Sequence, residues 1–439
     1  MTAPPTVFIH AYGCQMNKLD AELVLSSLAA AGYEQTADIL AADVILYCTC
    51  SVRGHAEERV YSNLGALRRH KARRPGVVIG VLGCMAQKDG VHVLQRAPHV
   101  DLVCGTRAFP RIAEFVEAVR RGEGPLIATD ETQIEAPERN VALRPHPCLG
   151  YVTVMRGCDN YCAYCIVPYV RGRETSRPIE EILDEARRLV DDGVREITLL
   201  GQNVNSYGMR PALGPRLPDL LERLNGVPGL LRVRFVTSHP RDMSLEIFQA
   251  MRDLATVCES VHMPAQSGSD RVLAAMRRGY TAARYRELLA MARETVPGIT
   301  IASDFIVGFP GETEADFEET AALVREARFQ NCFIFKYSPR PGTRAAEMED
   351  DVPEEEKKRR NNALLGIQET ISLAAHKALV GSTGEVLVEG ASKKDPGMLM
   401  GRLRTNEIVH FAGSATLRGR LVRVRVRGAT PLTLQGEMV

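Results

Sequence analysis

The sequence predicts an α/β protein in three parts: an N-terminal open parallel α/β domain, a central partial (βα)6 barrel and a C-terminal small antiparallel β-barrel. Three observations carry this. Short β-branched apolar runs alternate with helical patterns, first on a small scale and then on a larger one. The runs are nearly continuous in apolar residues, as in parallel strands covered on both faces. From residue 376 the pattern switches to period-two alternation between glycine-rich turns.

In the first domain, residues 4–121, the strand candidates are TVFIHAYG, DVILYCT, VVIGVLG and VDLVCG. Between the first two, Leu19, Leu23 and Leu28 mark one helix face and Gly32 a stop. Residues 122–143, rich in Pro, Glu and Thr, read as a linker. Residues 144–374 carry six strand candidates, GYVTVMR, EITLLGQNV, RVRFVTS, CESVHMP, ITIASDFIVGF and NCFIFKYS. After the first of these, Ile182, Leu183, Ala186, Leu189 and Val190 follow helical spacing. Six βα units suit a barrel whose chemistry sits at the carboxyl ends of its strands. The charged stretch 354–360 opens a long helix, and residues 376–439 then alternate through EVLVEG, MGRLRTNEIVHF, LVRVRVRG and LQGEMV.

With 45% hydrophobic and 25% charged residues among 439, the composition is that of a globular protein and excludes collagen-like and low-complexity classes. No run reaches the ~18 apolar residues of a membrane span. The N-terminus lacks the basic and apolar regions of a signal peptide, so a cytoplasmic protein with no membrane association is expected. The net charge is only +1, so nucleic-acid affinity has to come from local patches. Residues 376–439 supply one, with three Lys and seven Arg against five acidic residues.

Eleven cysteines are many for such a chain, and their odd number argues against a fully paired disulfide framework. Cys158, Cys162 and Cys165 stand in C-x3-C-x2-C spacing directly after a strand, in a loop short enough to wrap a zinc ion or an iron–sulfur cluster. Three ligands on a four-iron cube leave one iron open for a further ligand. Cys14, Cys50 and Cys84 are far apart in sequence, yet each ends one predicted parallel strand, and such ends converge on one crevice. Cys48 shares a strand face with Cys50, which leaves the choice between them open. Cys104, Cys148, Cys258 and Cys332 read as packing thiols.

The triplet with Tyr164 before its third cysteine resembles the signature of radical S-adenosylmethionine (SAM) enzymes. The motifs YGCQMN, TCSVR and GCMAQ resemble the N-terminal domain of the methylthiotransferases, and the resemblance spans nearly the whole chain. The chain departs from that family in carrying Cys48 where an Asn is usual. The resemblance implies two 4Fe–4S clusters, one on Cys14, Cys50 and Cys84 and one on Cys158, Cys162 and Cys165. The second would bind SAM and reduce it to a deoxyadenosyl radical, and the first would carry the sulfur to be transferred.

Polar residues at the ends of apolar strands are candidates for the barrel mouth. By resemblance to radical SAM cores, Gln202, Asn203, Ser238, Gln266, Asp304, Ile306 and Gly308 would hold SAM together with Tyr164. Arg171, Arg173 and Arg177 follow the cysteine loop and can clamp a carboxylate or phosphate. The tail resembles the TRAM module, a small RNA-binding barrel. Lys393, Lys394, Arg402, Arg404 and Asn406 are its candidate RNA contacts. Within the family, KYSPRPGT and the basic tail resemble the branch that adds a methylthio group to carbon 2 of isopentenyl-adenosine at tRNA position 37. Two other branches share the chemistry, one acting on threonylcarbamoyl-adenosine and one on a ribosomal-protein aspartate. A monomer is expected, with tRNA as substrate, a flavodoxin or ferredoxin as electron donor, and a separate sulfur donor.

Overall fold

A computed structural model describes residues 3–50, 54–129, 139–210, 214–393 and 395–439. The chain divides into two compact units, one of residues 1–145 with 166–173 and one of residues 146–165 with 174–439.

The first unit is built on one six-stranded parallel sheet. Its strands are β1 (Thr6–Ala11), β2 (Glu34–Gln35), β3 (Val44–Thr49), β4 (Val78–Gly83), β5 (Leu102–Cys104) and β6 (Leu126–Ala128). Their spatial order is β2-β1-β3-β4-β5-β6. The four expected strands are its centre. The two additions are edge strands, β2 with two residues and β6 with three, too short to show a periodic signal in the sequence. β6 lies inside the stretch read as linker, so sheet and linker overlap there. Every residue of β3 and β4 is buried, which is why these strands read as unbroken apolar runs. Val44 and Leu46 enter the core on one face, and Ile45 and Tyr47 the core on the other.

In the second unit, β7 (Leu149–Thr153), β10 (Glu196–Leu200) and β11 (Arg232–Phe235) form one parallel sheet. β12 (Ser260–His262), β13 (Thr300–Val307) and β14 (Asn331–Lys336) form another. The bridge Val233–Val257 links them into a partial barrel of six parallel strands. A small antiparallel ribbon, β8 (Met155–Arg156) with β9 (Thr175–Ser176), closes the base of the loop that carries the three clustered cysteines. β13 alternates strictly: Ile301, Ser303, Phe305 and Val307 are buried, while Thr300, Ala302, Asp304 and Ile306 are half-exposed. Tyr285, from the helix Ala282–Thr295, reaches Ser303 Oγ at 3.4 Å, so the buried face is the helix-covered one. Asp304 and Ile306 therefore line the barrel's open inner face.

The tail is a closed barrel of β15 (Thr383–Ala391), β16 (Met398–Arg402), β17 (Ile408–Ala412), β18 (Leu421–Ala429) and β19 (Leu434–Met438). Val386, Val388, Val409, Phe411, Val424 and Val426 fill it. It does not stand apart from the six-stranded barrel. Arg232 is fully buried and donates to the carbonyls of Arg402 at 2.6 Å and Glu385 at 2.9 Å. Arg234 donates to those of Leu403 and Arg404, both at 2.8 Å, and pairs with Glu196 at 3.0 Å. Two guanidinium forks thus satisfy four carbonyls of the tail that burial would otherwise leave unpaired.

Candidate functional site

Both cysteine sets are placed by the ends of strands, and each set is described within its own unit. In the first, Cys14 follows β1 and caps the helix Gln15–Ala30, Cys50 follows β3, and Cys84 opens the helix Cys84–Asp89 directly after β4. β1, β3 and β4 are neighbours in the sheet, so the three thiols gather at one edge. Two glycines make the approach possible. Gly13 has φ +113°, and a Cβ there would lie 2.3 Å from the Cys50 Cβ. Gly83 has φ +96°, and its Cβ would lie 2.6 Å from the Thr49 carbonyl oxygen.

Hydrogen bonding with Cys50 and the charge of Arg171 pull the Cys14 thiol down to about 6, against the opposing effect of burial. Cys48 is the penultimate residue of β3, wholly buried, and burial pushes its thiol well above the ordinary value. Cys50 lies past the strand, beside Cys14. Cys48 also lies within electrostatic reach of Cys14 and Cys84. Cys104 packs in the core as expected.

Arg171, one of the arginines expected to clamp a carboxylate or phosphate, reaches both a carboxylate and a cysteine of this site. Its Nε donates to the Cys84 Sγ at 3.3 Å, and its Nη2 to Asp20 Oδ2 at 2.5 Å and Asn17 Oδ1 at 3.3 Å. Its Nη1 is buried and finds no partner among the described residues. An unsatisfied buried donor beside gathered thiols fits an anionic iron–sulfur cluster.

In the second unit, Cys158 and Cys162 are buried and Cys165 half-buried, with the Cys165 N–H donating to the Cys162 carbonyl at 3.0 Å. Gly157, at φ +75°, precedes Cys158, and its N–H donates to Gln202 Oε1 at 2.6 Å. A second buried arginine attends this set: Arg278 Nη1 lies 3.4 Å from both the Cys162 Sγ and the Tyr164 hydroxyl. No three His, Cys, Asp or Glu side chains among the described residues converge tightly enough to share a single metal ion. A four-iron cube takes one thiolate per iron and so spreads its ligands more widely than a lone zinc does.

The candidate SAM residues lie around this loop with different tasks. Asn203 is buried and donates to Asp242 at 2.7 Å. Gln266 holds a left-handed conformation, φ +74°, and exchanges backbone hydrogen bonds with Asp304 and Ile306. Asp304 accepts from His262 Nε2 at 2.8 Å, the partner that a half-buried acid needs. Ile306 and Tyr164 pack against the same buried cluster, which holds Phe309 and Tyr337. Gly308 has φ +69°, and a Cβ there would meet Lys357 Cγ at 2.3 Å, so close packing as well as conformation demands glycine.

Ser238 Oγ and His239 Nε2 are buried without a hydrogen-bond partner among the described residues, and Glu174 Oε2, also buried, has only Arg210 there, at 3.9 Å. Burial holds the His239 imidazole far below its ordinary pKa and raises that of Glu174. A hydroxyl and a neutral imidazole N–H left unpaired, with a carboxyl held only loosely by Arg210, suit a zwitterionic amino acid such as the methionine end of SAM. Glu174, His262 and Arg278 were not singled out in the sequence, because nothing local marks them. Two more inner-face residues also escaped it: Phe333 and Phe335 on β14 are 44% and 37% exposed and sit in register with Asp304 and Ile306.

The candidate RNA contacts separate into two groups. Arg404 is turned inward, onto Glu259 at 2.7 Å and the carbonyls of Ala255 and Val257. Arg402 pairs with Glu389 at 2.9 Å and lies near Asn406, which holds the turn at φ +78°. Lys393 is exposed, and Lys394 lies outside the described residues. Arg423, Arg425 and Arg427 point outward from one face of β18, alternating with buried Val424 and Val426. Of the arginines after the cysteine loop, Arg177 pairs with Glu185 at 2.7 Å.

Comparison with known proteins agrees with this layout. The Radical SAM superfamily matches residues 152–324, uncharacterized protein family UPF0004 residues 6–105, and the TRAM domain residues 377–439. Along the chain they define a radical SAM protein carrying an N-terminal α/β domain and a C-terminal TRAM domain. A tRNA-2-methylthio-N(6)-dimethylallyladenosine synthase of Moorella thermoacetica is 49% identical over all of this chain and 99% of its own. One of Carboxydothermus hydrogenoformans is 43% identical over the whole of both chains. The protein therefore belongs to the tRNA-2-methylthio-N(6)-dimethylallyladenosine synthase family, and as a radical SAM protein it uses a 4Fe–4S cluster and SAM.

Among solved structures, the fold resembles the radical SAM methyltransferase TsrM of Kitasatospora setae. The TM-score is 0.58 at 14% identity, covering 78% of this chain and 77% of that one. It also resembles the cobalamin-dependent radical SAM enzyme OxsB, at a TM-score of 0.53, 14% identity and coverage of 84% and 56%.

Proposed function

We propose that the chain adds a methylthio group to carbon 2 of isopentenyl-adenosine at tRNA position 37. The observation that carries this reading is the pair of cysteine sets, one at the carboxyl ends of three parallel strands and one on a single loop of the barrel, each attended by a buried arginine. Cys158, Cys162 and Cys165 would hold the SAM-binding cluster, and Cys14, Cys50 and Cys84 a second one. Bound there, the two clusters and SAM supply radical chemistry at an unactivated C–H bond and the sulfur to be inserted.

The chain's own residues prepare the site. Ser238 and His239 supply unpaired polar atoms for the methionine end of SAM, and Glu174 a carboxyl oxygen that has only Arg210, at 3.9 Å, beside it among the described residues. Asp304, held by His262, and Ile306 present a polar and an apolar contact on the barrel's inner face for the rest of it. Phe333 and Phe335 offer aromatic surface for an unstacked base and its alkyl group. On the tail, the outward arginines of β18 are the contacts for the tRNA backbone, in place of the inward Arg404. The reading also takes in a flavodoxin or ferredoxin as electron donor, a separate sulfur donor, a monomeric state and a cytoplasmic location. Among the described residues no helix is long and apolar enough to cross a membrane.

The test is nucleoside mass spectrometry of isopentenylated tRNA after anaerobic incubation with reconstituted protein, SAM, sulfide and reductant. A methylthio-isopentenyladenosine product is expected. Unmodified tRNA accompanied by deoxyadenosine would mean that the substrate is wrong.

A further inference from the structure

We propose that Arg171 is a positioning residue for the cluster on Cys14, Cys50 and Cys84, raising its reduction potential and ordering its ligand Cys84. This rests on the reading above that those cysteines hold a cluster. The guanidinium is buried, with a side chain only 4% exposed, and its Nε lies 3.3 Å from the Cys84 Sγ. Asp20, 2% exposed, balances its charge through Nη2 at 2.5 Å. A buried ion pair alone would leave no reason for the third nitrogen, yet Nη1 is buried with no partner among the described residues.

The fork is thus divided three ways: one nitrogen on a ligand sulfur, one on a carboxylate, and one held in reserve beside the thiols. A cluster held by three thiolates is anionic, and its potential responds to net charge and to hydrogen bonds on its sulfurs. The surrounding structure fixes the geometry. The helix Val167–Arg171 begins two residues after Cys165 and packs Ile166 and Val170 directly onto Cys84. Gly172 then turns the chain at φ +80°, where a Cβ would collide with Arg107. The segment following one cysteine set therefore delivers the arginine of the other.

The experiment uses the full chain carrying Cys158→Ala, Cys162→Ala and Cys165→Ala, reconstituted anaerobically with iron and sulfide, so that only the N-terminal site can be loaded. Iron and labile sulfide report occupancy, and a redox titration followed by electron paramagnetic resonance reports the potential. In this background Arg171→Gln is expected to lower the midpoint potential, and Arg171→Lys to restore it in part. Asp20→Asn, which keeps the hydrogen-bonding shape, is expected to raise it by leaving the arginine charge unbalanced. Should Arg171→Gln fail to fold, Arg171→Lys, which keeps the charge but not the fork, decides the matter: a lowered midpoint is expected, and a midpoint equal to that of the parent would overturn the role. Unchanged potentials in loaded variants would overturn the role of Arg171 and leave the cluster standing. Absence of iron from the triple-cysteine background would overturn the cluster reading itself.

Discussion

Gly13, Gly83 and Gly157 each stand immediately before a clustered cysteine, and all three have positive φ. The left-handed step turns the chain sharply at the end of a strand and presents the next side chain at the sheet's edge. The six cysteines were legible in the sequence because spacing, or position after an apolar run, marks them. The pairing of the arginines with those cysteines was not. Arg171 and Cys84 are 87 residues apart, and Arg278 and Cys162 are 116 apart, so only the folded chain joins them. Substitution separates the two cysteine sets. Cys162→Ala abolishes deoxyadenosine formation from SAM, whereas Cys84→Ala retains SAM cleavage and stops sulfur insertion, both read by chromatography of the reaction products. Equal loss of both activities in a folded Cys84→Ala protein would contradict separate tasks.

At the scale of elements, the long parallel strands announced themselves and the short edge strands did not. β6 has three residues, too few for any periodicity, and owes its existence to pairing with β5. The tail barrel was equally legible, but not which of its arginines face outward. Arg402 and Arg404 look like surface charges in the bare sequence, and both are consumed by carboxylates. The alternation of LVRVRVRG was in plain view, and its alternate arginines form the exposed stripe. Replacing Arg423 and Arg425 together by Glu lowers tRNA affinity. It also makes binding less salt-dependent, by about one unit of slope for each phosphate no longer neutralised, as titrations at several salt concentrations would measure. Arg234→Leu acts elsewhere. It leaves the Glu196 carboxylate buried without its partner and costs about 3–5 kcal/mol, measurable by denaturant unfolding.

For the whole molecule, the three parts of the chain are distributed over two compact units. The six-stranded barrel and the tail barrel form one unit, tied by Arg232, Arg234 and Arg404. Residues 166–173, continuous with the cysteine loop, belong to the other unit. Neither arrangement follows from local pattern, since each depends on packing between distant stretches of chain. The central claim is that one chain holds two clusters on two cysteine sets. Counting iron in the anaerobically reconstituted protein tests it most directly, with the two triple Cys→Ala variants alongside. The account predicts about eight irons in the intact chain and about four in each variant. The contradicting result is about four in the intact chain, all of them gone when Cys158, Cys162 and Cys165 are replaced and all retained when Cys14, Cys50 and Cys84 are.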